Sequence, residues 1–494
     1  MLRQPLLDDH LGDGSPQDAG KKYSQNKSNH DLSKPNLTWG RHFKSKNKTE
    51  KYITLTTTLM ILIFCPLLVV YYWTSCANFN CSIISPTLML SKYGPRYFYH
   101  KYCPHFDALS FSVIIGWYIF QALLYAFLPG KLTTSQLTPA GNLLTYKING
   151  LLAWTISHLL FFGLYYFNPT MFSLTFISDH WGGLLVGSNI LAYSISLLVF
   201  LKAHVNPSHP EDRKFSESTP YDFYMGIELN PRIGKTFDLK LFHNGRPGIV
   251  AWTMINVSFA AYQHRKFGSV SDSMIIVTLL QGIYALDLFF NEDWYLRTLD
   301  IAHDHFGFYL AWGDLVWLPF MYTVQGYYLS RTFVHLGPYK FWALLVIGLV
   351  GYGIFRTANN QKDGFRQSLK AKNKSMGYRV SYFGVFRSKK PASMIVANYL
   401  TADGKKHTSA LLFSGFWGLA RHFNYTGDLL LATCMCLACG SMTKNFYPYF
   451  YLIFMFTLLI NRIYRDEEKC KSKYGKYWDQ YCEIVPYRLI PYVF

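Results

Sequence analysis

Between Ser414 and Asp428 the chain reads Ser-Gly-Phe-Trp-Gly-Leu-Ala-Arg-His-Phe-Asn-Tyr-Thr-Gly-Asp, then turns apolar at Leu429. Polar groups at the mouth of a membrane-like segment are costly unless they meet partners, so such a run marks a candidate functional site. At helical spacing Trp417, Arg421, Asn424 with Tyr425, and Asp428 fall on one stripe. The stripe offers a cation, amide and carboxylate hydrogen-bond partners, and aromatic faces for stacking. A nucleotide cofactor needs all of these; a polar seam between transmembrane helices is the structural alternative.

Three further runs carry chemistry-bearing residues. From Ile283 to Phe320 an aromatic stretch holds Asp287, Glu292, Asp293, Asp300, Asp304 and Asp314. Asp287 and Asp314 fall within apolar surroundings, where a carboxyl is either paired or protonated. A dry, protonated carboxyl is a competent general acid; bonding across helices, or to Arg297, His303 and His305, is the structural alternative. Arg356-Thr-Ala-Asn-Asn-Gln-Lys-Asp-Gly-Phe-Arg366 places Arg356, Lys362 and Arg366 at a helix end, a cationic group suited to phosphates, although ordinary loop charge has the same composition. In the tail, Asp466, Cys470, Tyr474 and Tyr481 share one helical face, which suits either amphipathic docking or, with the neighbouring lysines, an adenosine phosphate.

Several chemistries are excluded by residue type. Gly351-Tyr-Gly353 lacks the third glycine of a dinucleotide fold and lies in an apolar segment, and no P-loop is present. The sixteen histidines contain no paired-histidine box of the kind a membrane di-iron centre needs, so no metal is expected. Cys434, Cys436 and Cys439 sit in an apolar run and read as small packing residues rather than a zinc cluster. Cys76 and Cys81 flank a short loop and are able to pair.

The elements that must position these groups are helices in a bilayer. Of 494 residues only 16% are charged while 18% are aromatic, the composition of a polytopic membrane protein. Net charge is +19, but the basic residues lie between the apolar runs, facing anionic lipid rather than nucleic acid. Residues 53–73 carry no charge and end in aromatics; further spans fall near 109–128, 148–168 and 183–201. Weaker candidates lie near 248–263, 274–290, 307–330, 340–355, 410–441 and 446–461. The expectation is an all-α polytopic fold of about ten transmembrane helices with both termini in the cytosol. Residues 1–50 read as a disordered basic cytosolic tail and 51–494 as one transmembrane domain whose cofactor-binding half covers about 340–494.

The runs Tyr221-Asp-Phe-Tyr-Met-Gly-Ile-Glu-Leu-Asn-Pro-Arg232 and Leu412–Asp428 resemble the two signature stretches of the sterol reductase family. So do Gln121, Tyr125, Pro129 and Gly130 and the ending Val-Pro-Tyr-Arg-Leu-Ile-Pro-Tyr-Val-Phe494, and the likeness runs from about Tyr52 to Phe494. Arg421-His-Phe-Asn-Tyr resembles the members that act on the delta-7 double bond; delta-14 members tend to carry proline at the position of Phe423. This resemblance implies an endoplasmic reticulum membrane enzyme that uses NADPH, on the cytosolic side, to reduce the delta-7 double bond of 7-dehydrocholesterol to cholesterol. It implies cofactor contacts at Lys362, Arg366, Leu412, Trp417, Asn424, Tyr425, Asp466, Cys470, Lys471, Ser472, Lys473, Tyr474 and Tyr481. Asp428, Tyr425 and Asp314 are the candidate proton donors. The partner is a sterol taken sideways from the bilayer, with the aromatic run Trp294–Tyr328 as the expected wall. Rival readings are a delta-14 reductase, a methyltransferase resembling isoprenylcysteine carboxyl methyltransferase in its tail, and a non-enzymatic sterol-binding protein.

Overall fold

The computed structural model describes residues 48–494 apart from 217, 371–377, 401–405 and 444. The expected tail lies outside the described residues up to position 47. The chain divides into two compact units. One holds the described residues up to His335 together with Thr443–Pro448; the other holds Leu336–Met442 and Tyr449–Phe494.

The first unit begins with α1 (Lys48–Asn78), whose 31 residues reach about 46 Å at 1.5 Å per residue, enough to cross a bilayer. Pro66 is accommodated inside it. A disulfide joins Cys76 to Cys81 and closes the turn after it. Next, α2 (Ser85–Tyr102) kinks at Gly94, where φ is 79°, just before Pro95. Asp107 caps α3 (Ala108–Phe127) by accepting from the Ser110 amide at 2.9 Å. An antiparallel hairpin follows, β1 (Lys131–Leu137) and β2 (Leu143–Ile148), with Lys131 opposite Ile148. Then come α4 (Gly150–Phe167), α5 (Trp181–Val205), α6 (Pro247–Phe267) and α7 (Asp272–Phe290). Gly268 ends α6 in the left-handed region, and His264, Arg265 and Lys266 in the last turn complement the helix dipole.

The expected continuous span over 307–330 is instead broken. Short helices at Phe308–Trp312 and Leu318–Met321 flank a π-helical turn at Gly313–Trp317, and α8 (Val324–Arg331) follows. Pro319 has no amide hydrogen to continue an α-helical ladder, and Gly313 gives little resistance to the extra residue of a π turn.

The second unit opens with α9 (Pro338–Lys370). A hairpin of β3 (Met394–Leu400) and β4 (Lys406–Leu412) follows, in register from Met394 opposite Leu412. A 3-10 turn at Gly415–Gly418 leads to α10 (Phe423–Leu437), α11 (Phe450–Tyr474) and the short α12 (Lys476–Ile484). The expected span at 410–441 is thus helical only in its second half. Its first residues, Ala410-Leu-Leu412, alternate faces as strand partners of Val396, Ile395 and Met394, and Gly415, at φ +66°, turns the chain after them.

Six helices among the described residues are long and apolar enough to cross a membrane: α1, α3, α4, α5, α7 and α9. The protein is therefore a mostly helical, multi-pass membrane protein. It is not purely all-α, because among the described residues four two-stranded antiparallel sheets accompany the helices, two of them only two residues per strand.

Candidate functional site

The second unit gathers most of the residues singled out from the sequence around the β3–β4 hairpin. One face of the hairpin, with Ala397 and Leu411, packs on Cys470 and Tyr474 of α11, Trp478 and Tyr481 of α12, and Val485 just after it. Its other face, with Ala410 and Leu412, packs on Phe365 of α9 and on Trp417. The period-two alternation of a strand explains how adjacent residues Leu411 and Leu412 serve opposite clusters.

Lys362 and Arg366 are one helical turn apart on α9, and Arg366 is buried. The Lys362 ammonium lies over the Trp417 ring, 4.2 Å from its centre. That ring is fixed by its own indole N–H, which donates to the Ala358 carbonyl at 2.8 Å. Tyr481 donates its hydroxyl to the Trp417 carbonyl at 3.2 Å, so α12 holds the same turn from the other side. Gln361, next to Lys362, accepts from the Phe416 amide at 2.9 Å and donates to the Ser381 carbonyl at 2.8 Å. Gly415 is required here: a Cβ would lie 2.5 Å from Gln361 Oε1, on a backbone already at φ +66°.

On α11 the spacing of four puts Asp466, Cys470 and Tyr474 in one row. Burial pushes the Asp466 carboxyl above its ordinary range, against the pull of Lys362, Lys469 and Arg366. Burial likewise raises the Cys470 thiol and the Tyr474 and Tyr481 phenols, leaving them as neutral groups. Lys473 lies over the Tyr399 ring at 4.7 Å, and Tyr399 meets Tyr474 edge-on at 5.5 Å. Lys471 and Ser472 are exposed, and Lys471 pairs at 3.7 Å with Asp479 of α12. The run expected to act together is therefore split by the turn of the helix: Cys470, Lys473 and Tyr474 face the hairpin side, whereas Lys471 and Ser472 point away.

The expected single stripe from Trp417 to Asp428 does not exist. The helix starts only at Phe423, and Trp417 belongs to the preceding 3-10 turn. Arg421 is not an anion clamp either. Its Nε and Nη2 hold Glu467 at 2.9 Å each, and its Nη1 donates to the Val485 and Pro486 carbonyls at 2.7 and 3.0 Å. Arg488 holds the same Glu467 at 3.0 Å. Arg421 is a brace between the turn before α10, α11 and the C-terminal segment. Asn424, Tyr425 and Asp428 do sit on α10, each about 1% exposed. Tyr425 stacks on His422 with ring centres 5.5 Å apart. Asn424 donates to Asn359 Oδ1 at 3.2 Å while its own Oδ1 has no hydrogen-bond partner among the described residues. A buried amide oxygen without a partner is costly, and a ligand N–H aimed at it would remove that cost.

The helices bearing these groups can meet because of two glycines. A Cβ on Gly427 would lie 2.5 Å from the Gly351 carbonyl oxygen, and one on Gly351 would lie 2.8 Å from that of Gly427. Backbone contact between α9 and α10 brings Asn359 and Asn424 within hydrogen-bond reach. Asn359, Gln361 and Glu467 were not singled out in the sequence. Asn359 and Gln361 lie inside the quoted Arg356–Arg366 run, where amides between cations were the available signal; nothing local distinguished Glu467 from its neighbour Glu468.

The third candidate acid, Asp314, lies in the first unit, in the π turn, almost fully buried, and accepts from Asn244 at 3.2 Å. The other signature stretch, Tyr221–Arg232, is also there. Its glycine makes a second backbone crossing: Gly226 is at φ +88°, and a Cβ on it would lie 2.3 Å from the Phe306 carbonyl carbon.

Residues 45–494 match the Ergosterol biosynthesis ERG4/ERG24 family. The chain is 46% identical over 470 residues to the 7-dehydrocholesterol reductase of Xenopus laevis, covering 92% of this chain and 94% of that protein. It is 44% identical to the 7-dehydrocholesterol reductase of Danio rerio, covering 94% and 95%. To the Delta(14)-sterol reductase of Dictyostelium discoideum it is 35% identical, covering 88% and 90%. With a family match over nine-tenths of its length and relatives this similar, the chain belongs to the ERG4/ERG24 sterol reductase family.

Proposed function

We propose that this protein is an NADPH-dependent sterol reductase that saturates the delta-7 double bond of 7-dehydrocholesterol to give cholesterol. The observation that carries this reading is the site around the β3–β4 hairpin, in a chain more similar to the named 7-dehydrocholesterol reductases than to the named delta-14 enzymes among its relatives. The donor set there fits a phosphorylated dinucleotide. Lys362 and Arg366 suit phosphates, Trp417 offers a ring already poised under a cation, and Asn424 Oδ1 suits a carboxamide N–H. Leu412, Tyr425, Asp466, Cys470, Lys473, Tyr474 and Tyr481 complete the proposed contacts. Lys471 and Ser472 would act only at the rim.

Bound NADPH supplies the hydride. The protein must make an unactivated diene accept it. A buried acid would deliver a proton to C8 of the 7,8 bond, and the remaining 5,6 bond would delocalise the resulting allylic cation, leaving C7 as the position to which a bound cofactor would supply hydride. The acid then regains its proton from solvent. Asp428, Tyr425 and Asp314 are the candidates, each almost fully buried, so that water is kept from capturing the cation. A tyrosine starts from a reference pKa of about 10 and needs a relay partner, which makes the two carboxyls the simpler donors.

The setting is the endoplasmic reticulum membrane, with the cofactor site and both termini on the cytosolic side. The full set of spans is the ten segments read from the sequence, the six apolar helices plus α6, Phe308–Arg331, α10 and the first part of α11. Sterol profiling of cells lacking the protein tests the activity: a 5,7-diene accumulates on this reading, and accumulation of a 14-ene overturns it. Arg366→Ala tests the site. It raises the Michaelis constant for NADPH at least about ten-fold, the loss of roughly 1.4 kcal/mol of charge-assisted bonding, and leaves that for sterol nearly unchanged. Equal effects on both constants overturn the assignment of Arg366.

A further inference from the structure

Gly353 and Gly364 each admit a close neighbour to α9. A Cβ on Gly364 would lie 2.9 Å from the Tyr378 hydroxyl, and one on Gly353 would lie 2.9 Å from the Phe383 ring. The two glycines lie on one face of the helix, about 16 Å apart along its axis at 1.5 Å per residue. A short hairpin spans that distance. Ser381–Tyr382 pairs with Phe386–Arg387, Ser381 opposite Arg387. Its base is fastened to α9: Tyr378 donates its hydroxyl to the Gln361 carbonyl at 3.0 Å, and the Gln361 side chain donates to the Ser381 carbonyl at 2.8 Å. Its tip is closed by Phe383 and Gly384 at φ 52° and 72°, with the Val385 amide donating to the Tyr382 carbonyl at 3.1 Å. Left-handed backbone is unfavourable for a residue with a Cβ, yet Phe383 adopts it and lays its ring on Gly353.

The hairpin therefore runs down α9 from its charged end toward its apolar part. Phe341–Phe355 carries no charge within a helix long and apolar enough to cross a membrane, and Arg356 is the first charged residue after it. Gly353 lies inside that run, so the tip reaches the depth of the apolar segment rather than stopping at the first charge. Val385 and Phe386 at the tip are 74% and 69% exposed. Toward the base, Arg379, Arg387, Lys389 and Lys390 are all exposed, and the sequence has no Asp or Glu from Gly364 to Ala402. An apolar tip at membrane depth below a group of cations is the pattern of an interfacial anchor, and four or more basic residues just beyond a spanning helix suit anionic headgroups.

We propose that this hairpin inserts Val385 and Phe386 into the bilayer while Arg379, Arg387, Lys389 and Lys390 bind anionic phospholipid headgroups, on the membrane face where Lys362 and Arg366 stand. A soluble acidic protein would meet the cations but not a tip lying beside Gly353, where the surroundings of α9 are hydrocarbon. Bonds from Gln361 and Tyr378 fix the direction of the hairpin, so its depth is set by the fold. The proposal rests on the membrane fold alone and stands or falls apart from the reaction and its cofactor.

The test is photocrosslinking of the full-length protein in nanodiscs of phosphatidylcholine containing a minor share of phosphatidylserine. The photoprobe p-benzoylphenylalanine is placed at position 386, and in a second variant at 385, and mass spectrometry identifies what it captures. Phospholipid adducts are expected, with phosphatidylserine enriched at least about five-fold over its share of the nanodisc, roughly the effect of one cation at an anionic surface. Combining Arg387→Gln, Lys389→Gln and Lys390→Gln keeps the lipid adducts and removes the enrichment. Native mass spectrometry of the protein with its own tip should likewise retain phosphatidylserine in preference to phosphatidylcholine, which needs neither probe variant to fold. Adducts confined to protein, or lipid adducts in bulk proportion, overturn the proposal. Sodium chloride and inorganic phosphate at equal ionic strength should lower the enrichment equally; loss in phosphate alone assigns the cations to a free anion and overturns the lipid.

Discussion

The two signature stretches of this chain do opposite work with similar residues. From Tyr221 to Arg232 the polar side chains are spent on the scaffold. Glu228 takes Lys202 at 2.9 Å, Arg232 pairs with Asp238 at 3.2 Å, Asp222 accepts from the Ser216 amide at 2.7 Å, and Asn230 donates to Tyr146 at 3.1 Å. From Leu412 to Asp428 Arg421, Ser414 and Thr426 are spent in that way, Thr426 donating to the Leu489 carbonyl and Ser414 accepting from the Ser393 amide, while Asn424 Oδ1 has no hydrogen-bond partner among the described residues and Trp417 presents its ring to Lys362. A family signature therefore marks a place where residue choice is constrained, and what its polar side chains meet differs between the two stretches.

The largest effects should come from the glycines, which both stretches use as backbone crossings. Gly226→Ala adds a Cβ 2.3 Å from the Phe306 carbonyl carbon on a backbone at positive φ, and no folded protein is expected from it by size-exclusion in detergent. Gly427→Ala forces α9 and α10 apart and should abolish NADPH binding even where some protein survives. If Gly427→Ala protein binds NADPH normally, the α9–α10 crossing is not part of the site.

Next come the braces. Arg246 and Glu292 form a buried pair at almost zero exposure, with Asn149 bonding the same guanidinium at 3.0 Å and the Gly150 amide donating to Glu292 at 2.8 Å. Arg246→Met strands that carboxylate and should cost about 3–5 kcal/mol, read as a fall in thermal midpoint. Arg421→Met is milder, about 1–3 kcal/mol, because Arg488 continues to hold Glu467. At a temperature where Arg421→Met protein stays folded, its NADPH Michaelis constant should be near normal, the reverse of Arg366→Ala. A large rise for Arg421→Met alone would return that residue to the cofactor and erase the distinction between brace and site.

How much of this was legible beforehand follows from which forces are local. A charge-free run of bilayer length announces itself, so α1, α3, α4 and α5 were readable, as was the row of Asp466, Cys470 and Tyr474 at a spacing of four; Tyr481, expected on the same face, lies on α12 instead. The β3–β4 hairpin was not. Ala410-Leu-Leu412 is as apolar as a membrane helix, and what makes it a strand is its partner Met394-Ile-Val396, fourteen or more residues away. The Trp417–Asp428 stripe failed for the same reason. Helical spacing says where side chains would point in a helix, but Gly415, Gly418 and the tertiary demand of Gln361 for the Phe416 amide set the backbone there. Arg421 looked like a clamp because its acceptor, Glu467, is 46 residues distant.

The smallest expected effect separates the two faces of α11. Burial raises the Asp466 carboxyl, and the opposing pull of Lys362, Lys469 and Arg366 does not cancel it. The folded protein therefore holds this proton to higher pH than the unfolded chain, whose carboxyl titrates near the reference value of about 3.9. The contribution is fully present below that value and is lost as pH rises through the higher folded one, so stability from this group falls with rising pH across the interval. Asp466→Asn should remove that slope from the thermal midpoint measured between the two values. Lys471→Ala, on the exposed face and 3.7 Å from an exposed Asp479, should leave the slope in place and change stability by no more than about 0.5 kcal/mol. If Lys471→Ala instead weakened NADPH binding as much as Arg366→Ala does, the cofactor would have to lie across the outer face of α11, and the hairpin-side row would be packing.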